Sequence, residues 1–318
     1  MGRLAARAVH GREHLARLRL ARALIDLRPA ESVDDLETWR SVRLAVLPNE
    51  RTATAEQLWE QREDDTLYLV AFAEGELAGA GVATRSDSGG AFVQPRVLPA
   101  SRRRGVGSAL LRALADHSFA CGHESAYAMV EDVAAAAFAE RFGFTERNRQ
   151  IEQVYAITGT EPEPEVPAGV SIVPLAGNEP LRARLYGELV AESLGDLVLD
   201  RPIDITEEIW WRSWLPSTAW AFVAVRGGEL VGMAGLIDDD DRPDRAENAL
   251  TAVRRDLRRS GIGRALKQQA LRCAAERGLA EVYTWTQTGN EAMQELNRSL
   301  GYVDRDVVIS VGRRLPLL

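Results

Sequence analysis

The chain contains one short motif twice, at a separation close to half its length. Arg102–Gly107 reads RRRGVG, and Arg258–Gly263 reads RRSGIG, 156 positions further along. The GEL sequence of Gly75–Leu77 likewise returns at Gly228–Leu230, after 153 positions. Solenoid proteins repeat at roughly 20 to 50 residues, so a period of this length repeats whole domains. The repeat therefore predicts two domains of the same fold.

Each copy shows the same order of predicted elements. A short strand and a helical region are followed by a hairpin, and a further strand, Ala91–Val97 or Glu247–Val253, leads into the motif. Apolar residues at helical spacing come next, then another strand, a helix and a Gly-aromatic pair. Strands that alternate with helices predict an α/β domain.

The domain limits follow from this order. We predict a basic extension over residues 1–24, an N-terminal domain over 25–158 and a C-terminal domain over 170–318. Residues 159–169 are rich in proline and glutamate, which favours an extended linker between the domains.

Charge and cysteine content restrict the partners of the chain. The 39 Lys and Arg residues against 47 Asp and Glu give a net charge of −8, which disfavours nucleic acid. We find no apolar stretch near the roughly 18 residues of a membrane span, and therefore expect no membrane partner. Cys121 and Cys273 form neither a disulfide framework nor a zinc motif. We expect a cytoplasmic protein without a metal.

The chemistry of the repeated motif points to an anion. Glycines at the start of a helix let a ligand approach the backbone, where unpaired amides and the helix dipole favour negative charge. Arginines add fixed positive charge at both copies. A single glycine-rich turn can merely link a strand to a helix, but two copies in matched contexts favour a pyrophosphate site. The spacing fits neither a Walker P-loop nor a dinucleotide fingerprint.

These residues resemble motif A of the GNAT superfamily of acyl-CoA-dependent N-acyltransferases, which reads R/Q-x-x-G-x-G/A after a strand ending V-x-P-x-x. Val97–Arg102 matches this lead-in fully, and Val253–Arg258 matches it except that Arg255 replaces the proline. Phe138–Phe144 and Asn290–Tyr302 resemble motif B. The resemblance covers nearly all of the chain beyond the basic extension.

The resemblance implies a tandem GNAT protein, similar in layout to mycothiol synthase and to actinobacterial two-domain acetyltransferases. The implied fold is of the α/β (α+β) class, with two domains that each hold a mixed, mostly antiparallel sheet flanked by helices. The implied acyl donor is acetyl-CoA. Its implied contacts in the C-terminal copy are Val253, Arg258, Arg259, Ser260, Gly261, Ile262, Gly263, Arg264, Asn290 and Asn297. Those in the N-terminal copy are Val97, Arg102, Arg103, Arg104, Gly105, Val106, Gly107 and Ser108.

Catalysis requires a base, because amide formation from a thioester needs a neutral amine. In many GNAT enzymes a glutamate six residues before the strand-ending valine takes the proton. That position is Glu247 before Val253, but Ala91 before Val97. We therefore expect an active C-terminal domain with Glu247 as base and a catalytically degenerate N-terminal domain. The alternative for Glu247 is a solvent-facing charge at a strand end.

Motif B raises a question about the general acid. Many family members carry an asparagine that contacts coenzyme A and, seven residues later, a tyrosine that protonates the thiolate. The second copy has Asn290 and Asn297 at these positions, and the first has Asp132 and Ala139. The usual tyrosine is missing from both, which leaves Asn297, water or another side chain to assist thiolate release.

Four tryptophans and an acidic run are candidate features of the acceptor site. Trp210, Trp211, Trp214 and Trp220 could hold an amine by cation–π contact, worth about 0.5 to 2 kcal/mol. The alternative, stronger for at least two of them, is that they fill the core. Asp238–Asp241 is either a solvated turn or an attraction for a cationic substrate.

The expected function is acetyl-CoA-dependent acetylation of a primary amine on a small molecule. The alternatives are an inactive acyl-CoA-binding sensor or scaffold and a peptide or protein N-acetyltransferase. The N-terminal domain would bind coenzyme A without turnover or shape the acceptor cleft. The sequence leaves the oligomeric state open, and a monomer fits because two domains can act as a pseudo-dimer.

Overall fold

The computed structural model describes residues 25–48, 53–86, 89–196, 205–240 and 242–317. The predicted basic extension lies outside these ranges. The chain divides into two compact units: unit 1 contains the described residues up to Arg147 and those from Ile309 onward, and unit 2 is Asn148–Val308. Among the helices in the described ranges, none combines the length and apolar character that a membrane crossing requires.

Unit 1 follows the predicted order of elements. Its strands are β1 (Ile25–Pro29), β2 (Leu67–Ala73), β3 (Glu76–Arg85), β4 (Ala91–Val97) and β5 (Ser125–Val130), and its helices are α1 (Val33–Val46), α2 (Ala55–Gln61), α3 (Val106–Ala120) and α4 (Val133–Arg141). Side chains cap three of these helices: Ser32 accepts from an amide of α1, Thr54 forms a capping box with Gln57, and Asp132 accepts from an amide of α4.

The last strand of the chain completes the sheet of unit 1. The strand order is β1, β2, β3, β4, β5 and then the end of β13 (Val303–Arg314), and only the β4–β5 pairing is parallel. Helix α3 packs on one face through Leu110 and Leu114, in an apolar cluster with strand residues such as Leu69 and Val93. Burial of these side chains stabilises the unit.

Unit 2 repeats this plan. Its strands are the end of β6 (Thr145–Ala156), β7 (Val170–Pro174), β8 (Ala221–Arg226), β9 (Glu229–Asp238), β10 (Arg245–Asn248), β11 (Ala252–Val253) and β12 (Glu281–Gln287). Its helices are α5 (Glu179–Leu185), α6 (Ala191–Leu194), α7 (Glu207–Ile209), α8 (Ile262–Glu276) and α9 (Glu291–Leu300). Single π-helical turns, Tyr186–Val190 and Trp210–Trp214, follow α5 and α7.

The sheet of unit 2 has the order β7, β8, β9, β10, β12, β6, and again only one pairing, β10–β12, is parallel. Strand β11 pairs with β9. The α/β class with mixed, mostly antiparallel sheets flanked by helices is thereby confirmed for both copies.

The compact units and the predicted domain limits differ in two segments. The predicted limits assign residues 148–158 to the N-terminal domain and residues 309–318 to the C-terminal one. In the structure, residues 148–158 belong to unit 2, and the residues from 309 onward belong to unit 1. The physical reason is strand pairing: Gln150–Ala156 pairs with β12, and Ile309–Arg314 pairs with β5. The local pattern predicts neither β6 nor β13.

The predicted linker lies along helix α8 of unit 2. The amide of Glu165 donates to Oε1 of Gln268 over 3.2 Å, and Glu163 pairs with Arg272. An added Cβ on Gly261 would lie 3.5 Å from Cγ of Pro167. The end of this segment therefore reaches the beginning of α8.

Candidate functional site

The two arginine-glycine segments adopt the same backbone conformation. A 3₁₀ turn, Pro99–Ser101 or Arg255–Leu257, precedes each motif. Gly105 and Gly261 then cap helices α3 and α8 with φ angles of 93° and 90°. The left-handed region strains other residues, which explains glycine at both positions. Each loop also holds an arginine at positive φ, Arg103 at 63° and Arg259 at 65°.

Matched contacts join each loop to the strand before it. Nε of Arg102 donates to the carbonyl of Val97 over 3.3 Å, and Nε of Arg258 donates to the carbonyl of Val253 over 3.1 Å. The second glycine of each motif lies against the same valine, because an added Cβ would come within 3.4 Å of Val97 Cγ2 or 3.5 Å of Val253 Cγ2. These contacts therefore hold the end of the strand, the loop and the start of the helix in a fixed arrangement.

The predicted cofactor residues divide into exposed groups and buried supports. The exposed residues at the helix starts are Arg102, Arg103, Arg104, Gly105, Arg258, Arg259, Ser260 and Gly261. Val106 and Ile262 are core residues, so only their backbone can serve a ligand. Arg264 donates to Ser299 over 2.7 Å, and in unit 1 Arg141 donates to Ser108 over 3.2 Å. In unit 2 the arginine is on α8 and the serine on α9, whereas in unit 1 the serine is on α3 and the arginine on α4.

Two arginines beside the motif of unit 2 share one carboxylate. Asp196 accepts from Nε of Arg255 over 3.1 Å and also from Nη2 of Arg258. The hydrogen bond from Arg255 is the main cause that lowers the pKa of Asp196 below its ordinary value. Asp196 is thus a built-in anion at this motif. Unit 1 has a different pair, in which Arg104 bonds to Glu74 over 2.6 Å.

The strand before the second motif is interrupted, which differs from the continuous strand predicted over 247–253. Strand β10 ends at Asn248, and β11 begins at Ala252. Strand β10 pairs with β12 from Arg245 to Glu247, and Glu247 stands opposite Tyr283. Beyond this pair the two strands are no longer in register. The hydroxyl oxygen of Thr251, within the interruption, is buried with no hydrogen-bond partner among the described residues.

Glu247 faces away from helix α8. Its neighbours Ala246 and Asn248 face α8, since Ala246 packs with Ala270 and Asn248 bonds to Lys267. Side chains alternate along a strand, so Glu247 lies on the opposite face, together with Tyr283. This half-buried carboxylate is therefore beside the point at which β10 and β12 separate.

The register shows that Phe92, and not Ala91, is the counterpart of Glu247. Phe92 pairs with Thr84 of β3 and with Tyr127 of β5, as Glu247 pairs with Ile237 of β9 and with Tyr283 of β12. Counting back six residues from Val97 gives Ala91 because the interrupted strand contains one more residue than β4. Both the counted and the structural counterpart lack a carboxylate.

Helix α9 carries the two asparagines that the sequence singles out. Asn290 caps this helix, and its Oδ1 accepts from the amide of Met293 over 3.4 Å. Asn297 is wholly buried, and its amide donates to Gln153 over 2.8 Å and to Thr286 over 3.4 Å. The side chain of Asn297 is therefore bonded within the core of unit 2.

The tryptophans are mainly part of the core. Trp210 is fully buried, and Trp211 and Trp214 pack against the same apolar cluster, which confirms core filling for these rings. Arginines cover two rings: Arg182 lies 4.9 Å from the centroid of Trp211, and Arg277 lies 3.9 Å from that of Trp220. Trp211 and Trp220 therefore each already have a cation of the protein against the ring.

The acidic run is also engaged. Asp239 is buried and accepts from Arg245 over 2.7 Å, while Asp238 pairs with Arg277. Asp240 is exposed, and position 241 lies outside the described residues. Two of the acids thus have cationic partners in unit 2, which reduces their attraction for a cationic substrate.

Alignment of the two copies could have indicated one further residue. Lys267 stands in α8 where α3 has Leu111, and this exchange of a core leucine for lysine is visible in the sequence. Asp196 has no such signal, because it reaches its arginines from a remote segment. Within the described ranges, no group of three or more His, Cys, Asp or Glu side chains is arranged to hold a metal ion.

Comparisons with known proteins agree with this architecture. The family model described as acetyltransferase (GNAT) family matches residues 33–144 and 188–302. A mycothiol acetyltransferase from Saccharomonospora viridis is 28% identical over 258 residues, covering 76% of this chain and 81% of that protein. A GCN5-related N-acetyltransferase from Sphaerobacter thermophilus has a TM-score of 0.73 and 20% identity, with 92% of this chain and 97% of that one covered.

A second solved structure is similar over both repeats. This tandem GNAT protein from the clavulanic acid biosynthesis pathway has a TM-score of 0.70 and 19% identity, with 91% of this chain and 98% of that one covered. At such identities the two structures show a shared fold.

Proposed function

Because the chain belongs to the GNAT acetyltransferase family, we propose that it transfers an acetyl group from acetyl-CoA to a primary amine of a small molecule, and that unit 2 performs the transfer. The observation that carries this proposal is the position of Glu247. Its carboxylate lies where β10 and β12 separate, and the strand that carries it leads into an arginine-glycine motif.

The loop of unit 2 fits the pyrophosphate of an acyl-CoA donor. Gly261 is exposed at a left-handed φ and opens helix α8, so a ligand can approach backbone amides that have no partner within the helix. Arg258 and Arg259 add positive charge. We assign Arg258–Arg264 to the donor, with Val253 supporting the loop from the strand. Asn290 remains a candidate contact to the donor, through its backbone and through the side chain that caps α9.

The proposed reaction requires one proton transfer before the new bond forms. Glu247 takes a proton from the acceptor ammonium, directly or through water, which yields the neutral amine. The amine nitrogen bonds to the thioester carbon, the carbon–sulfur bond breaks, and the nitrogen loses its second proton to water, which delivers a proton to the departing thiolate of coenzyme A. The proton on Glu247 then passes to solvent. Water fills this role in the proposal because the amide of Asn297 is bonded to Gln153 and Thr286.

Unit 1 lacks the features that support catalysis in unit 2. Phe92 stands in the register of Glu247, and β4 runs without interruption from Ala91 to Val97. Its loop retains Gly105 at positive φ and the exposed arginines Arg102–Arg104. We therefore propose that unit 1 binds coenzyme A through Val97 and Arg102–Ser108 without turnover.

A small acceptor is favoured by the relatives. Proteins named for the acetylation of mycothiol, rather than of a polypeptide, match this chain along three quarters of its length. A primary amine is the acceptor that the proposed base can activate. The described tryptophans and acids do not define the acceptor further, because most of them are engaged within unit 2.

A thiol-release assay tests this function. The purified chain is supplied with acetyl-CoA and a panel of small primary amines, amino sugars and peptides with a free N-terminus. The release of the free thiol of coenzyme A is then measured. The proposal predicts release that depends on a small amine. Release that depends only on peptides would favour a peptide acceptor, and tight acetyl-CoA binding without release for any amine would indicate a sensor.

A further inference from the structure

A buried lysine lies beneath the candidate site of unit 2. Lys267 of helix α8 is only 1% exposed. Its Nζ donates to Oδ1 of Asn248 and lies 5.2 Å from the ring centroid of Tyr302. Burial alone lowers the pKa of Lys267, to about 7, and no carboxylate of the described residues offsets this effect. The principal polar partner of this amine is therefore one asparagine.

Asn248 connects three elements at the end of strand β10. Its amide donates to the carbonyl of Gly235 on β9 over 3.0 Å. Its backbone carbonyl accepts from the hydroxyl of Thr284 on β12, also over 3.0 Å. Since Glu247 forms the last β10–β12 pair, Asn248 is the first residue beyond that pairing. Lys267 thus bonds to the residue at which the two strands separate.

Unit 1 shows what the same fold does without this pair. Lys267 and Leu111 are each the sixth residue of a 15-residue helix that begins directly after its motif glycine. Asn248 pairs with Leu236 on β9, as Val93 pairs with Ala83 on β3. Leu111 is 2% exposed and Val93 is fully buried. In both units the parallel pairing ends at the matched position, Phe92 or Glu247. The difference is that the apolar pair accompanies a continuous strand and the polar pair an interrupted one.

The polar pair has an energetic cost. Burial of an ammonium without a counter-ion is unfavourable, and well-packed apolar side chains commonly stabilise a core at least as well. Leu111 and Val93 demonstrate that this fold accommodates them. Stability of unit 2 therefore does not account for Lys267, whereas a requirement for a fixed geometry at Asn248 does.

We propose that Lys267 is a positioning residue for acetyl transfer: through Asn248 it fixes the interrupted end of strand β10, and with it the adjacent carboxylate of Glu247. This inference rests on the proposed function of unit 2. Without the lysine, Oδ1 of Asn248 would be a buried acceptor with no donor, and the strand end would shift to satisfy it. The donor loop at the start of α8 is held by its own contact, from Arg258 to the carbonyl of Val253, so donor binding should change little.

Kinetics of three variants test the proposal. Lys267→Met should lower kcat about tenfold or more, since small displacements of a catalytic group have large effects on rate, while the dissociation constant of acetyl-CoA changes less than about twofold. Lys267→Leu with Asn248→Val rebuilds the apolar pair of unit 1. It should melt at or above the wild-type temperature and still have the low kcat. Leu111→Met in unit 1 is the matched control and should keep wild-type kcat.

These variants separate positioning from packing. If Lys267 only filled the core, the repacked double variant would recover both stability and kcat. Recovery of wild-type kcat in that variant, or unchanged kcat in Lys267→Met, would overturn the proposal. If Lys267→Met does not fold, the double variant alone decides.

Hydrogen exchange provides a readout that does not depend on activity. Amides of Arg245–Asn248 should exchange about tenfold faster in Lys267→Met than in wild type, and at the wild-type rate in Leu111→Met. Unchanged exchange in Lys267→Met would overturn the positioning role. A wild-type protein that acetylates no amine would instead overturn the proposed function, with the exchange result still deciding the role of Lys267.

Discussion

Glu247 of unit 2 occupies the register position that Phe92 occupies in unit 1. Each stands opposite a tyrosine of the neighbouring parallel strand, Tyr283 or Tyr127. One repeat thus carries a carboxylate, and the other an apolar ring, at the same place in the same fold. Activation of an amine needs a proton acceptor, which only the first of these side chains supplies. The two repeats should therefore respond differently to matched substitutions.

Matched changes at the motif glycines test which unit performs catalysis. Gly261→Asp adds a side chain at a φ of 90° and a negative charge at the beginning of α8, where the donor pyrophosphate is proposed to bind. It should abolish acetyl transfer. Gly105→Asp makes the same change at a φ of 93° in unit 1 and should cost much less activity. Loss of activity from Gly105→Asp alone, in a protein that still melts cooperatively, would assign catalysis to unit 1.

Donor identity can be tested by thermal and chemical unfolding. Acetyl-CoA at a hundred times its dissociation constant should stabilise the protein by about 2.7 kcal/mol if only the folded state binds. NADH and ATP should not match this effect, because the loops fit neither a dinucleotide fingerprint nor a P-loop. Stabilisation by ATP without stabilisation by coenzyme A would contradict the donor assignment.

Asp196 should weaken donor binding because it neutralises arginines beside the loop. Asp196→Asn keeps the shape of the side chain but removes its charge, which leaves Arg255 and Arg258 more available to an anion. We expect the dissociation constant of acetyl-CoA, measured by calorimetry, to fall about threefold or more. Glu229→Gln, which removes a carboxylate paired with Arg254, is the control. Weaker binding in Asp196→Asn would show that Asp196 instead holds the arginines in their binding geometry.

The buried lysine predicts a specific pH dependence of stability. Between about pH 7 and its ordinary pKa of 10.5, Lys267 is protonated in the unfolded chain but neutral in the folded protein. The unfolded state then binds more protons, so the contribution of Lys267 to the free energy of unfolding rises with pH across this window. Below it both states are protonated and the residue adds no slope. Urea unfolding of wild type and Lys267→Leu at several pH values should show this rise only in wild type, and parallel curves would contradict it.

The sequence predicts the features that depend on local pattern. Gly105 and Gly261 indicate left-handed helix starts because few other residues tolerate that backbone, and the repeat places both in the same fold. Glu247 is found by its distance from Val253. Its counterpart is misplaced by one residue, because counting cannot detect that β10 and β11 are interrupted while β4 is continuous.

Features that depend on long-range pairing are not predictable in this way. Strands β6 and β13 contribute to sheets of the opposite sequence halves, and no local spacing specifies a strand partner more than a hundred residues away. Asp196 reaches Arg258 across 62 positions for the same reason. Asn297 occupies a family position in the sequence, but its burial follows from Gln153, which a different segment supplies.

The rate of acetyl transfer by Glu247→Gln tests most directly whether this carboxylate is the catalytic base. This variant removes the proton acceptor and retains the size of the side chain. With an amine that supports thiol release in wild type, we predict that kcat falls by about a hundredfold or more at neutral pH while the dissociation constant of acetyl-CoA is unchanged. Asp240→Asn, at an exposed acid of the same unit, should keep wild-type kcat. Equal kcat in Glu247→Gln and wild type would contradict the assignment of catalysis to this carboxylate.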